Sequence, residues 1–592
     1  MNLIYGVKDE AFKATRGNEK KTEICKLFQN MHMDLTAVRN QSAAFQVLLY
    51  AEEGFLLNVS ESTCFDKRGI TNAIRLKTVF NEDVQITSNM NIIGFVEDDD
   101  RLLKADILLA QEDIYVEKGV IQPVWVEFQI PEDLKAGAYN GRVIIYRNRG
   151  FEQEYIAGEV TFKLIVKDVS LPMPSEYKFY LDLWQHNSNI ARKHEVPLWG
   201  DRHFEVLEKY IESLACLGQK AISIVASEVP WSGQFCYRHT EYLSNLFEYS
   251  IIKVVKEQNG ELSVDFTSMD RYIDLCFKYG IRQEIEVFGL INIWMCEEEG
   301  FGKVIKDFSD GIRVRYLDKS DNCYKYIDSI RDLKDYIKKV EGHFIQRGLI
   351  DKVRVIADEP SDLDMYNQRL DFLRKVAPSF KYKAAINSAD FIQKFNLLID
   401  DFVPIFTVMC SENEKVRELK YKVKGKVSWY VCCGPDLPNT FVKSHIAESY
   451  CIGWLTEYMH LDGFLRWNYT VWPEKPRDRI SYRMYAPDTW SAGDTNFVYP
   501  SYNGAPLLTL RYKALLKGIQ TFELIAMLKG KNPRAQEYLE QAYAKIFKFN
   551  NINAFQYDKY CESIKKIDEL LSLEYNDYVE ALDIIIRGIL SE

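Results

Sequence analysis

VRVIADEP, residues 353 to 360, decides how the rest of the chain is read. Val353 to Ala357 is a mainly apolar run, rich in β-branched residues and of the length of a buried strand. It ends in two acids, Asp358 and Glu359, and Pro360 then lacks the N–H that would continue the ladder. Both acids are thereby predicted at the C-terminal end of a strand. Seven other segments have the same character: YKFYLDLW (177 to 184), KAISIVAS (220 to 227), RQEIEVFGLI (282 to 291), YKAAIN (382 to 387), FVPIFTV (402 to 408), KVSWYVCCG (426 to 434) and DGFLRWNYTVW (462 to 472). Amphipathic stretches such as HFEVLEKYIESLACLG and YIDSIRDLKDYIKKVEGHFIQRG alternate with them, the pattern of parallel β/α units. Eight strands over residues 173 to 528 predict an α/β region folded as a (β/α)8 barrel of the TIM type. A doubly wound open sheet is the alternative.

Residues 1 to 172 carry short alternating runs such as AAFQVLLYAEEGFLLNVS and GRVIIYRNRG, separated by turn residues, which predicts an N-terminal β-sandwich. Within it, QPVWVEFQIPEDLKAGAYNGRVIIY reads as strand, turn, strand, with Pro131 and Gly137 at the joints and Gly141 opening the second strand. Pro172 and Pro174 mark a linker. SIIKVVKEQNGELSVDF reads as a hairpin inserted after the second barrel strand. Beyond Thr509 the chain is expected to be helical to its end, with residues 529 to 592 packed on the barrel. A chain of 592 residues is longer than one core usually organises, which agrees with several domains.

The net charge of −11 argues against a nucleic-acid partner, which needs clustered Lys and Arg to displace counterions. No segment has the roughly 18 apolar residues of a membrane span, and the first twenty residues lack the apolar stretch of a secretion signal. A cytoplasmic location is expected, unless a leader has been removed. The 12 cysteines include no C-x-x-C and no pairing rhythm, so most read as small buried thiols of a reducing compartment. The 8 histidines include no metal-ligand spacing, and no phosphate or dinucleotide loop occurs; Gly300 and Gly302 lack the third glycine. No metal and no cofactor is expected, and the oligomeric state stays open.

An adjacent acidic pair means little alone, since 86 acids in 592 residues produce about a dozen by chance. Position gives Asp358–Glu359 its weight, because the C-terminal strand ends of a barrel form its active face. Two buried carboxyls side by side cannot both ionise cheaply, so one should hold a proton and act as a general acid. A solvated strand end, or an ion pair with Arg354 or Lys352, is the competing reading. Trp184, Trp429, Tyr430, Trp467, Asn468 and Trp472 lie near other predicted strand ends, where rings stack on sugar faces and amides bind hydroxyls. Core packing explains each ring equally well. His186 is the one histidine placed near the site, against a satisfied polar residue in the first loop.

These residues resemble glycoside hydrolase family 123, whose members include β-N-acetylgalactosaminidases. The resemblance rests on VWVEFQIPEDLKAGAYNGRV, Asp358-Glu359-Pro360, VSWYVCCGP, DGFLRWNYTVWP, and AGDTNFVYPSYNGAPLLTLRYKALLKGIQTFELI, and it covers most of the chain. It implies a retaining exo-glycosidase acting on a terminal β-linked N-acetylhexosamine, with N-acetylgalactosamine favoured, by substrate-assisted catalysis through an oxazolinium-like intermediate. Carried over by motif, Asp358 orients the acetamido N–H and Glu359 is the acid and base. The resemblance adds Asp494 and Tyr499, in the GDTNFVYP loop, to the sugar-binding candidates. It implies an oligosaccharide or glycoconjugate as partner, imported if no leader exists. The sequence departs from the family pattern at Ser501, at Thr509–Leu510 and at Gln520–Thr521–Phe522. A glycosidase for another sugar, or a carbohydrate-binding protein without turnover, remains open.

Overall fold

The computed structural model describes the chain except residues 18–25, 61–71, 150–152, 230–247, 292–303, 307, 309–310, 361, 473–490 and 592. Gly300 and Gly302 lie outside the described residues, as does part of the loop after Trp472.

The N-terminal part consists of two six-stranded sheets packed face to face. One contains Leu3–Asp9, Ser42–Ala51, Gln122–Gln129, Thr87–Glu97, Leu103–Leu108 and Thr15–Arg16; the other contains His32–Arg39, Tyr155–Ser170, Gly137–Asn148, Asn72–Phe80, Phe55–Asn58 and Asp113–Val116. Side chains at every second position meet between them: Phe45, Val47 and Leu49 from the first sheet, Val160, Phe162 and Leu164 from the second. Phe162 lies 4.7 Å from Phe128 and 5.8 Å from Phe45, ring centre to ring centre. The intervening positions of the first sheet, Ala44, Ile93 and Trp125, belong to the core of the rest of the molecule. That explains why Ser42–Ala51 is buried throughout. The strand expected to open at Gly141 opens instead at Gly137; a Cβ at Gly141 would come within 2.3 Å of the Phe162 ring, so its glycine serves sheet packing.

After Pro172 strands and helices alternate. They are β1 (Tyr180–Leu183), α1 (Asp201–Cys216), β2 (Ala221–Val225), α2 (Thr267–Lys278), β3 (Glu284–Phe288), α3 (Ile330–Gln346), β4 (Val353–Asp358), α4 (Leu363–Val376), β5 (Lys381–Ile386), α5 (Ala389–Phe395), β6 (Asp401–Pro404), α6 (Asn413–Lys420), β7 (Trp429–Tyr430), α7 (Ile446–Tyr458), β8 (Gly463–Arg466) and α8 (Leu510–Lys531). Side-chain caps start several helices: Ser329 accepts from Asp332 N, Asp362 from Met365 N, and Thr509 from Tyr512 N. All eight strands pair in parallel, β2–β3–β4–β5–β6 in one sheet and β1–β8–β7 in another. Isolated parallel bridges join Leu181 to Gln219, before β2, and Phe402 and Ile405 to Val427 and Tyr430.

The insert after β2 is the expected hairpin, Lys253–Lys256 against Leu262–Asp265. It pairs with a second hairpin, Arg315–Asp318 and Cys323–Tyr326, that follows β3. Beyond Thr509 the expectation of continuous helix needs correction. Helices span Leu510–Lys531, Ala535–Ile546, Ile567–Leu570 and Tyr575–Leu590, but residues 547 to 566 carry only the short turn Ile552–Ala554. That segment lies against the loop after β7: Tyr557 donates to Leu437 O at 2.6 Å, and Asp436 N to Cys561 O at 3.1 Å. Among the described residues no helix is long and apolar enough to cross a membrane.

Candidate active site

Along β4 the side chains alternate, so Arg354, Ile356 and Asp358 share one face. Arg354 pairs with Asp401 of β6, across β5, and Lys383 of β5, in register with Ile356, reaches Asp182 of β1, so that face is turned toward the other strands. The ladder ends when Glu359 N donates to Ala385 O at 3.0 Å. Glu359 then takes φ = +46°, a left-handed conformation uncommon for a residue with a Cβ, and Pro360 follows. This turn brings its carboxyl beside that of Asp358 instead of onto the opposite face.

Both carboxyls keep part of their surface at the mouth of the strands, yet protein surrounds them closely. Burial raises Asp358 well above the usual carboxylate range, and the neighbouring Glu359 charge adds to it. Glu359 is raised by burial too, but Tyr430 at the end of β7 donates its hydroxyl to Oε1 and pulls the other way. Both shifts are upward and each carboxylate charge disfavours the other, so the pair is suited to share one proton.

A second group lies just past β8. Asp494 is fully buried, ion-paired to Arg466 at 2.9 Å, with Trp467 Nε1 at 3.4 Å; burial pushes it up to about 6, against the pull of Arg466. Its Oδ2 has no hydrogen-bond partner. Asn468 Nδ2 donates to Asp494 O. His186 meets Trp467 O through Nε2 at 2.9 Å, and burial lowers it to about 4, which makes it a neutral imidazole. A hydrogen-bonded path joins the two groups: Asn439 donates through Nδ2 to Cys432 O, two residues past Tyr430, and its Oδ1 accepts from Arg466, the partner of Asp494.

Of the residues singled out in the sequence, Asp358, Glu359 and Tyr430 thus come together, and Trp467, Asn468, Asp494 and His186 form the adjoining group. The others point elsewhere. Trp429 alternates with Tyr430 and faces the helices: its Nε1 donates to Thr456 of α7 at 2.7 Å, and its ring packs on Phe406 and Phe464 at 5.0 and 4.9 Å. Trp472 lies under α1, against Tyr210 at 5.8 Å, with Nε1 on Val498 O. Tyr499 donates to Asp106 of the N-terminal sheet at 3.0 Å. Trp184 is 1% exposed and packs edge-on to Phe288 between the strands. Trp467 alone of these tryptophans is only half-buried.

Sequence reasoning missed a charged cluster beneath the carboxyl pair. Lys383 of β5 meets Asp182 of β1 at 2.5 Å and Glu286 and Glu284 of β3 at 2.6 and 3.1 Å, all four buried. Glu286 is raised well above its ordinary range by burial and by Asp182, while Lys383 pulls it the other way. The pattern was visible in YLDL, EIEVF and KYKAAI, where acids and lysine fall at every second position. Among the described residues no three His, Cys, Asp or Glu side chains converge as a metal-ligand set.

Residues 184–528 match the family model described as glycoside hydrolase 123, catalytic domain, and residues 16–147 match the glycoside hydrolase 123 N-terminal domain. Among solved structures, a family 123 glycoside hydrolase from Clostridium perfringens, studied for glycolipid glycan hydrolysis, aligns with TM-score 0.74 and 18% identity over 100% of this chain and 98% of its own. That likeness supports the fold. A β-D-glucuronidase from Dictyoglomus thermophilum aligns at TM-score 0.30 and 10% identity over 75% of this chain and 68% of its own, too weak to carry an argument. No curated protein matches the chain significantly.

Proposed function

The chain belongs to glycoside hydrolase family 123, and from that premise we propose that it is a retaining exo-β-N-acetylhexosaminidase, with terminal β-linked N-acetylgalactosamine as the preferred sugar. Membership itself makes the protein a glycosidase with a carbohydrate substrate. The observation that carries the finer reading is the carboxyl pair: Asp358 and Glu359 side by side at the end of β4, both raised, with Tyr430 donating to Glu359.

In this reading the substrate's own acetamido oxygen attacks the anomeric carbon, and no protein nucleophile is needed. Asp358 accepts the acetamido N–H and stabilises the positive charge of the oxazolinium-like intermediate. Glu359 protonates the leaving oxygen and, as carboxylate, then takes a proton from the attacking water. In the empty site the Tyr430 bond favours a charged Glu359, which leaves the shared proton with Asp358. An acetamido N–H donated to Asp358 reverses that preference, so substrate binding delivers the proton to Glu359. Asp494, through its unpartnered Oδ2, is the acceptor for a sugar hydroxyl, Trp467 the stacking face, with Asn468 and His186 behind them. Trp184, Trp429, Trp472 and Tyr499 support these groups from inside.

We assign the chain to a β-sandwich over 1–172, a catalytic module over 173–528 and a C-terminal segment over 529–592, though α8 runs through the last boundary. The eight parallel strands are read as one closed (β/α)8 barrel, supported by the bridges that join the two sheets on both sides and by Lys383 meeting β1 and β3 across the interior. A cytoplasmic enzyme trimming imported oligosaccharides fits this reading.

Hydrolysis of aryl 2-acetamido-2-deoxy-β-galactoside and β-glucoside tests it. The galactoside should turn over faster, Glu359→Gln should reduce kcat/KM by about 10²–10⁴-fold, and a thiazoline analogue of the sugar should inhibit. Absence of turnover on either glycoside would falsify the proposal.

A further inference from the structure

Two residues past Tyr430, the chain places two thiols next to each other. Cys432 and Cys433 have Sγ atoms 3.7 Å apart, neither is in a disulfide, and Cys433 is exposed. The loop that carries them is fixed. Cys432 N donates to Gly434 O at 3.1 Å, and Asn439 Nδ2 donates to Cys432 O at 2.9 Å. Behind it stands Cys561, whose Cβ is 2.8 Å from where a Cβ on Gly434 would lie. Asn439 also accepts from Arg466, the partner of Asp494, at 2.9 Å, so the loop that carries the two thiols runs from Tyr430 to the second group of the site.

We propose that Cys432 and Cys433 form a binding site for a soft, thiophilic centre that takes two thiolates, of which a trivalent arsenical is the type, and that its occupancy blocks the catalytic pocket. The geometry favours a bridging atom over a direct sulfur–sulfur bond. Neighbouring Cα atoms are about 3.8 Å apart, shorter than the roughly 4.4–6.8 Å that disulfides span. Two sulfurs each about 2.3 Å from one soft atom, at near-tetrahedral or pyramidal angles, lie about 3.4–3.8 Å apart. The observed gap falls in that range. Two protein thiolates suffice for such a centre, so no third ligand is required. With an arsenoxide the step balances without oxidation: two As–S bonds form, the As–O bond breaks, and the two thiol protons leave with the oxygen as water. The aryl group on arsenic then fills the space beside Tyr430 and Glu359, where the proposed function puts the leaving group of the sugar.

Phenylarsine oxide is the probe. Intact-mass measurement on the full chain should find one more phenylarsenic group on the natural protein than on Cys433→Ala, whose lost side chain is exposed and leaves folding intact; Cys432→Ala should give the same count. Aryl glycoside hydrolysis should fall at least tenfold with the group bound, recover with 2,3-dimercaptopropanol, and stay unaffected by the probe in Cys433→Ala. Equal uptake by both proteins overturns the site, and uptake without inhibition overturns its placement at the pocket. The mass difference reads the site even if the glycoside proves the wrong substrate, so failure of the inference and failure of the proposed function remain distinct.

Discussion

Tyr430 donates one hydrogen bond to Glu359, and that bond opposes the burial that drives the carboxyl upward. A donor to the charged form lowers a pKa, so its removal lets the pKa rise. In Tyr430→Phe, the alkaline limb of kcat, which reports the substrate complex in which Glu359 holds the proton, should therefore move to higher pH by about one unit, since a bond to a charged group is worth about 1.5 kcal/mol. The pH profile on an aryl glycoside checks this, and an unmoved limb would assign the acid to another residue. At this scale the sequence was partly legible. Pro360 announces the strand end and hence both acids, but nothing in the letters says that Glu359 turns left-handed, because glutamate has no preference for that region. The turn costs about 1–3 kcal/mol and is held by the Ala385 bond and Pro360 around it.

Strand β7 shows how a period of two settles what composition leaves open. Trp429 and Tyr430 are both aromatic and both fall near the expected strand end, yet successive side chains must face opposite ways. Tyr430 reaches Glu359, while Trp429 fills the layer between β7, β8 and α7. The two faces predict opposite phenotypes. Trp429→Ala removes a fully buried ring and should lower stability by about 3–5 kcal/mol, read as a fall in the thermal midpoint, with KM of the folded fraction unchanged. Trp467→Ala should leave the midpoint nearly in place and raise KM about fivefold, the loss of roughly 1 kcal/mol of ring stacking. A KM effect from Trp429, or none from Trp467, would reverse the assignment of the faces. The eight strands were legible because each is a short apolar run between turn residues. β7 was read as 426 to 434 and forms only Trp429–Tyr430, since Cys432 N turns back to Gly434 O. The helix expected through residues 547 to 566 failed for a related reason: the segment bonds to the β7 loop, and those tertiary partners replace its own helical ones.

Across the whole molecule, the sandwich is tied to the catalytic module by groups that no local pattern could reveal, because their partners are hundreds of residues apart. Asp106, in the sandwich strand Leu103–Leu108, accepts from Arg511 Nε at 2.9 Å and Nη2 at 2.8 Å, and from Tyr499 at 3.0 Å. Arg511 in turn donates through Nη1 to Thr440 O, Gly493 O and Asn496 O, at 2.8, 3.2 and 3.1 Å. The loop so held is the one that carries Asp494. Removing one partner of a buried ion pair leaves the other charge without compensation and costs about 3–5 kcal/mol. Arg511 is 1% exposed and has no route to water. In Asp106→Ala the guanidinium should therefore shift, the loop should loosen, and Asp494 should lose its fixed position relative to Trp467. Two measurements separate this from general destabilisation. The thermal midpoint should fall by several degrees. At a temperature well below it, KM for the aryl glycoside should rise while kcat changes less, because Asp494 binds sugar and the carboxyls on β4 are untouched. If kcat and KM both keep their natural values at that temperature, the sandwich stabilises the fold without positioning the sugar site.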